Sequence, residues 1–379
     1  MGDLGTLIPL FVALIVLCKL SITTVLLLAG AYYIISGIFF RLPMPVQPLK
    51  VVSAIAIAIP TQVTPSVLAA TAMVFGLITL FLGLTGLIDW IAKLFSKPIV
   101  RGIQLGLGFI LVKKGMGFIL DPNLFSNSGA DAYQLWGISA NLILGIAGCA
   151  ITLVLITNKK VPAALLIISI GFVLGFVFGT IGDIPISLGP TPIEFYIPSS
   201  NDFFIAITLL VIPQIPLTIG NAIIGTKDTS QSLFGKGSAT KRVTNRNLSI
   251  SMGLANLLTG ITGGVPMCHG AGGLAAHYRF GARTGGSNIM IGLIFLVIAI
   301  LFGSIGITLL TSLPNAIFGI LLIFAGLELA TLIKDIKERN DLFVVVLIAS
   351  VAIVSTNMSI AFAIGIAVSF LIRVAKIEL

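Results

Sequence analysis

The chain has 379 residues, of which 57% are hydrophobic and only 9% charged, with a formal net charge of +9. A soluble domain carries about 25% charged residues, so too little polar surface exists here to face water on every side. With a mean hydropathy of +1.14, the composition is that of a polytopic helical membrane protein. The basic residues are dispersed, which excludes the clustered basic face of a nucleic-acid footprint. The three cysteines, Cys18, Cys149 and Cys268, are too few and too scattered for a disulfide framework. A transmembrane barrel needs short alternating segments, and none are present.

Apolar runs of roughly 17–25 residues, the length that crosses a bilayer, recur from end to end. Segmenting them at breakers predicts fourteen helices, starting near residues 4, 23, 46, 67, 98, 138, 161, 203, 247, 266, 287, 313, 341 and 359. The first, Leu4 to Leu17, lacks a positively charged n-region and a small-residue cleavage site, and reads as a span rather than a removable signal. The third (Pro48 to Ile59) and tenth (His269 to Phe280) are short. Each follows an interruption, PMPVQPLK (Pro43 to Lys50) or GGVPMCHGAGG (Gly263 to Gly273). Irregular backbone is tolerated at membrane depth only where it is buried in protein or lines a cavity. The eighth helix, IPQIPLTIGNAIIG (Ile212 to Gly225), is expected to break at Pro213 and Pro216.

Basic residues test the count. With both termini cytoplasmic, the inward loops hold Arg41, Lys93, Lys97, Lys159 and Lys160 in the first half. In the second half they hold Lys227, Lys236, Lys241, Arg242, Arg246, Arg279, Arg283, Lys334, Lys337 and Arg339, and the tail adds Arg373 and Lys376. The outward loops hold Lys19 and mostly acids: Asp121, Asp131, Asp183, Glu194 and Asp202, with Lys113 and Lys114 near one helix end. This asymmetry is what the positive-inside rule requires.

The two halves echo each other. Ile8-Pro9, Pro43-Met44 and Pro98 are matched by Ile212-Pro213, Pro266-Met267 and Pro314, at offsets of 204, 223 and 216 residues. Seven helices per half is an odd number, so the second half enters from the opposite side. The reading is an inverted repeat of residues 1–200 and 201–379. Paired interruptions at corresponding places in two halves point to a transporter's central site.

The short third and tenth helices would then meet head to head near the midplane. Each helix N-terminus exposes unpaired N–H groups and a partial positive charge, so two such ends together suit an anion. The first break contributes Gln47, Pro48, Leu49 and Lys50, with Pro45 and Pro48 pre-setting the first turn and Lys50 the one cation placed deep. The second contributes Cys268, His269, Gly270 and Ala271, where Gly270, Gly272 and Gly273 allow close backbone approach. Gln214, Thr218 and Asn221 of the eighth helix add neutral hydrogen-bonding groups, Gln214 and Thr218 sharing a face. Asp3 either caps the first helix or lines the pathway, and Glu328, in the twelfth helix, is the acid expected to be buried, where it would pair with a basic group or relay a proton. Cys268 and His269 have no further ligands at zinc-like spacing. No nucleophile motif, phosphate loop or paired acid supports an enzyme, and no cofactor is implied.

Together GDLGT, PMPVQPLK, PQIPLTIGNAIIG and PMCHGAGGLAAHYRFGARTGG resemble the MOT-type molybdate transporters, a branch of the sulfate permease superfamily. The similarity runs from Gly2 to beyond Gly286. It implies a seven-plus-seven fold shared with nucleobase permeases, divided into a core domain (helices one to four and eight to eleven) and a gate domain (five to seven and twelve to fourteen). It also implies molybdate uptake, with the oxyanion between helices three and ten, and dimerisation through the gate. The chain ends near Leu379 without room for the cytoplasmic STAS domain of the wider superfamily, which MOT-type members also lack. The expected location is the plasma membrane, and proton coupling stays open.

Three other readings stand beside it. One is a sulfate, tungstate or general oxyanion carrier, since all three ions are tetrahedral dianions. The second is a nucleobase permease, disfavoured because helices eight and ten offer Gln214, Thr218, Asn221 and His269 rather than carboxylates. The third is an anion channel or non-transporting sensor.

Overall fold

The computed structural model describes residues 4–91, 96–125, 133–135, 137–155, 163–178, 188–355 and 357–375, with backbone alone for 4–6. In chain order the helices are α1 (Leu4–Leu17), α2 (Ile22–Phe40), α3 (Lys50–Ala58), α4 (Pro65–Thr85), α5 (Ile88–Ile91), α6 (Lys97–Leu120), α7 (Ala140–Leu155) and α8 (Ala163–Val177). Then come α9 (Ser200–Ile205), α10 (Ile212–Leu217), α11 (Thr226–Phe234), α12 (Asn245–Thr262), α13 (Ala271–Arg279), α14 (Gly286–Thr311), α15 (Asn315–Ala330), α16 (Arg339–Ser355) and α17 (Met358–Val374). Strands are two residues each: β1 (Gln47–Pro48), β2 (Gln134–Leu135), β3 (Ile138–Ser139) and β4 (Met267–Cys268). β1 pairs with β4 and β2 with β3, both antiparallel.

Among the described residues, six helical segments are long and apolar enough to cross a membrane: α2, α4, α6, the Ser200–Phe234 helix, α14, and α15 with the turn after it. Shorter apolar helices, α7, α8, α17 and most of α1, accompany them. The protein is an integral multi-pass membrane protein. Helix starts follow local chemistry. Thr64 accepts from the Val67 N–H ahead of Pro65 in the first turn of α4, Thr244 caps α12, and Ser199 forms a capping box with Asp202.

Two departures from the sequence reading have clear causes. Pro45 and Pro48, expected in the first turn of the third helix, lie in the extended segment before it, and α3 begins only at Lys50. Residues ahead of prolines are pushed to extended backbone, and Leu42, Met44 and Gln47 all precede one. The eighth helix is not broken at Pro213 and Pro216. It runs unbroken from Ser200 to Phe234, with π-helical stretches Ala206–Val211 and Thr218–Gly225 on either side of α10. Each proline removes a donor, and wider π turns re-pair the carbonyls.

The series α2–β1–α3–α4 and α12–β4–α13–α14 have the same order. Each opening helix ends in a left-handed cap, Arg41 (φ 59°) or Gly263 (φ 72°). A two-residue strand, a nine-residue helix and a long helix follow. α4 packs on α12 and α14 on α2, so interchanging the two series exchanges these packings. The third extensive packing is α6 on α15. All three seams are built on glycine: Gly76 against Gly253 and Leu257, Gly30 against Gly292, Gly115 against Gly319. Small residues let backbones approach closely where lipid offers no hydrophobic drive for association. α3 is buried from Val51 to Ile57, with Ser53 the one polar side chain in that stretch, as a helix apolar on nearly every side should be within a larger protein.

Candidate functional site

The two breaks are tied to each other and to the long helices around them. Gln47 is opposite Cys268 and Pro48 opposite Met267, and the Leu49 N–H donates to the Pro266 carbonyl at 2.8 Å. From α12, Asn256 Nδ2 donates to the Met252 and Met267 carbonyls, both at 2.7 Å, and its Oδ1 accepts from the Met267 N–H at 2.9 Å. The Tyr33 hydroxyl donates to the Val46 carbonyl at 3.1 Å, and Asn288 Nδ2 donates to the Met44 carbonyl. Side chains thus supply the partners that this non-helical backbone would otherwise lack at membrane depth.

His269 joins both breaks. Its ring is fully buried, and Nδ1 lies 2.8 Å from the Pro45 carbonyl, which can only accept, so Nδ1 carries a proton. In the neutral ring, Nε2 is then an acceptor for the hydroxyl pair of Tyr32, at 2.9 Å, and Ser251, at 3.1 Å, whose oxygens are 3.2 Å from each other. Phe40 packs edge-on against it. Protein engages both ring nitrogens.

The ends of the short helices differ. At α3, the Gln214 side-chain oxygen accepts from the Val51 N–H at 2.9 Å and lies 3.4 Å from that of Val52. Gln214 Nε2 donates to Thr218 Oγ1 at 2.9 Å, so these two groups on one face bond each other. At α13, no side chain caps the helix at Gly270. A Cβ on Gly270 would stand 2.6 Å from Gln47 Oε1 and 3.6 Å from Asn221 Nδ2, so both amides converge on this backbone. Beside Gly272, which is exposed, a Cβ would meet nothing within 4 Å. Lys50, Asn221 and Ala271 are half-buried.

The structure therefore brings Gln47, Pro48, Leu49, Cys268, His269 and Gly270 into one buried crossing, with Gln214 and Thr218 against α3. Glu328, expected to be the buried acid, is exposed on α15, and it lies within electrostatic reach of Lys50. Asp3 and Lys93 lie outside the described residues. Sequence reasoning missed Tyr32, Ser251, Asn256 and Asn288, which hold the breaks. Asn256, polar within GLANLLTG, was the visible signal. Among the described residues, no three His, Cys, Asp or Glu side chains come together as metal ligands would. A cavity of about 530 Å³ lies at the other end of α3, lined by Ile55, Ala58, Ile59, Lys113, Lys114 and Asp121 among others. It contains no break residue, and the contacts around the breaks are the better guide to the site.

Comparison with known proteins adds independent findings. A family model described as "Molybdate transporter of MFS superfamily" matches residues 1–111 and 206–329. Molybdate transporter 2 of Arabidopsis thaliana is 32% identical, covering 100% of this chain and 87% of that protein. Molybdate transporter 1 of Chlamydomonas reinhardtii is 27% identical, covering 97% and 89%. Among solved structures, the transmembrane domain of a cyanobacterial bicarbonate transporter, BicA, shares the fold at TM-score 0.61 and 15% identity, covering 97% of this chain and 96% of that one. The murine solute carrier 26 family member A9 anion transporter does so at TM-score 0.65 and 16% identity, covering 99% and 69%. Two proline- and glycine-rich breaks tied into one crossing thus sit within a sequence that matches this family over most of its length, and the chain belongs to the molybdate transporter family.

Proposed function

We propose that this chain carries molybdate across the membrane by alternating access, with the anion bound between the N-termini of α3 and α13. The β1–β4 crossing carries this reading, because it brings two nine-residue helices to a common origin. An anion there gains hydrogen bonds from backbone N–H groups and two helix dipoles. The ligands on this reading are Gln47, Pro48, Leu49, Lys50, Asn221, Gly270 and Ala271 with the first N–H groups of α3, including those of Val51 and Val52; Gln214 and Thr218, hydrogen-bonded to α3 and to each other, do not themselves hold the anion. Cys268 and His269 position the second break. Glu328, within electrostatic reach of Lys50, is the group for gating or proton coupling.

The fourteen-span, seven-plus-seven inverted repeat of residues 1–200 and 201–379 is supported by the matching series and their interchangeable packings. On that reading the core comprises α1–α4 and α9–α14, the gate comprises α6–α8 and α15–α17, both termini face the cytoplasm, and the gate forms the dimer contact in the plasma membrane. Backbone donors read charge and shape rather than the central atom, so tungstate and sulfate are the natural competitors.

Calorimetric titration of the purified protein with molybdate, tungstate and sulfate, with uracil as control, tests the substrate. Lys50→Ala is expected to weaken molybdate binding about tenfold or more, since a partly desolvated charge-assisted contact contributes roughly 1.5–3 kcal/mol. Lys241→Ala, on an exposed loop, should leave it within about twofold. Equal effects would remove Lys50 from the site, and binding of uracil alone would overturn the anion reading.

A further inference from the structure

An empty carrier that returns across the membrane carries its anion donors with it, and buried N–H groups without partners are costly. The contact at α3 meets this problem. Gln214 is 1% exposed, and its oxygen occupies the position of a capping acceptor on the second and third residues of α3, the donors proposed for substrate. Leu49, at the cap position itself, has no side chain that could serve. The Thr218 hydroxyl takes the other end of the amide at 2.9 Å, which fixes the oxygen toward α3. The helix bearing Gln214 has Pro213 and Pro216 beside it and π-helical stretches before and after. π-helical turns inside an α-helix are frequent at functional sites. α13 has no such side-chain cap.

We infer that Gln214 is an internal surrogate ligand: its amide oxygen holds the α3 donors in the empty carrier and gives them up to an oxygen of the incoming oxyanion. The inference rests on the proposed site and deepens it. A neutral amide oxygen is a weaker acceptor than a dianion oxygen, so substrate displaces it, while the empty site stays satisfied during its return. The device thereby favours net uptake over obligatory exchange.

The test uses the full chain, purified for calorimetry with molybdate and reconstituted into vesicles either empty or preloaded with molybdate. Gln214→Glu, nearly isosteric, places a carboxylate on the α3 donors and is expected to weaken molybdate binding about a hundredfold, by stronger capping and like-charge repulsion. Gln214→Ala is expected to bind at least as tightly as the parent. It should exchange into preloaded vesicles, yet its net uptake into empty vesicles should fall about tenfold, the equivalent of one unsatisfied buried donor. Gln214→Asn, one methylene too short to reach α3, should repeat that pattern if the alanine variant fails to fold. Unchanged binding in Gln214→Glu would overturn the inference. So would an equal fall of uptake and exchange in both Gln214→Ala and Gln214→Asn. Absence of molybdate binding by the parent protein would instead remove the site on which the inference rests.

Discussion

A single side chain can replace a missing strand partner. Asn256 makes three hydrogen bonds with carbonyl and N–H groups of Met252 and Met267, where no second strand is available to β4 on that side. Replacing it by the isosteric leucine strands the buried Met267 N–H and carbonyl. At about 1–3 kcal/mol for each unsatisfied group, Asn256→Leu should lower stability by roughly 2–4 kcal/mol and loosen the second break. The unfolding midpoint in detergent measures this, and a change near zero would mean that water or backbone takes over. His269 shows the same logic. Its place in a proline–glycine break marked it as important, but a break does not reveal what fills its ring nitrogens. The partners are Pro45, Tyr32 and Ser251, each remote in sequence from the histidine or on another helix.

Among the helices, the crossing of α6 and α15 shows how close approach constrains a seam. A Cβ on Gly319 would stand 2.6 Å from the Gly115 carbonyl oxygen, and one on Gly115 would stand 2.6 Å from that of Gly319. Neither backbone can yield without moving its helix. Gly319→Ala is therefore expected to cost about 1–3 kcal/mol as overpacking. Gly117→Ala, two residues further along α6 with nothing within 4 Å, should gain about 0.5–1 kcal/mol from helix propensity. Opposite signs in the two unfolding midpoints would support a seam set by close approach, and matching signs would refute it. At the end of the same crossing, Asp335 accepts from Arg101 Nε and Nη2 at 2.9 and 2.6 Å and pairs with Lys97 at 3.1 Å. This ties the start of α6 to the turn after α15.

At the scale of the whole molecule, the proposed topology places the segment around Ile197 outside and that around Lys241 in the cytoplasm. Ile197 is 95% exposed and Lys241 is exposed, so both positions tolerate a reporter. In a background without native thiols, a membrane-impermeant thiol reagent applied to intact cells should label Ile197→Cys and spare Lys241→Cys until the membrane is permeabilised. Labelling of both in intact cells, or the reverse pattern, would break the alternation of spans on which the inverted repeat depends. The same repeat would explain why exchanging the α2 and α12 series exchanges the α4–α12 and α14–α2 packings.

Helix positions were legible because hydropathy, proline and glycine act within a few residues of themselves. α4 starts at Pro65 and α12 at Asn245, each two residues from the expected start. Both breaks were likewise visible as local clusters of residues that cannot continue a helix. Pairing was not legible, because a hydrogen bond between groups far apart in sequence leaves no local trace. Val51 and Gln214 are 163 residues apart, and nothing in either segment points to the other. So the sequence specified spans, breaks and the polar groups available near them. Tertiary packing decided that Gln214 caps α3 while α13 stays uncapped, because only the fold brings an acceptor from one segment onto the donors of another.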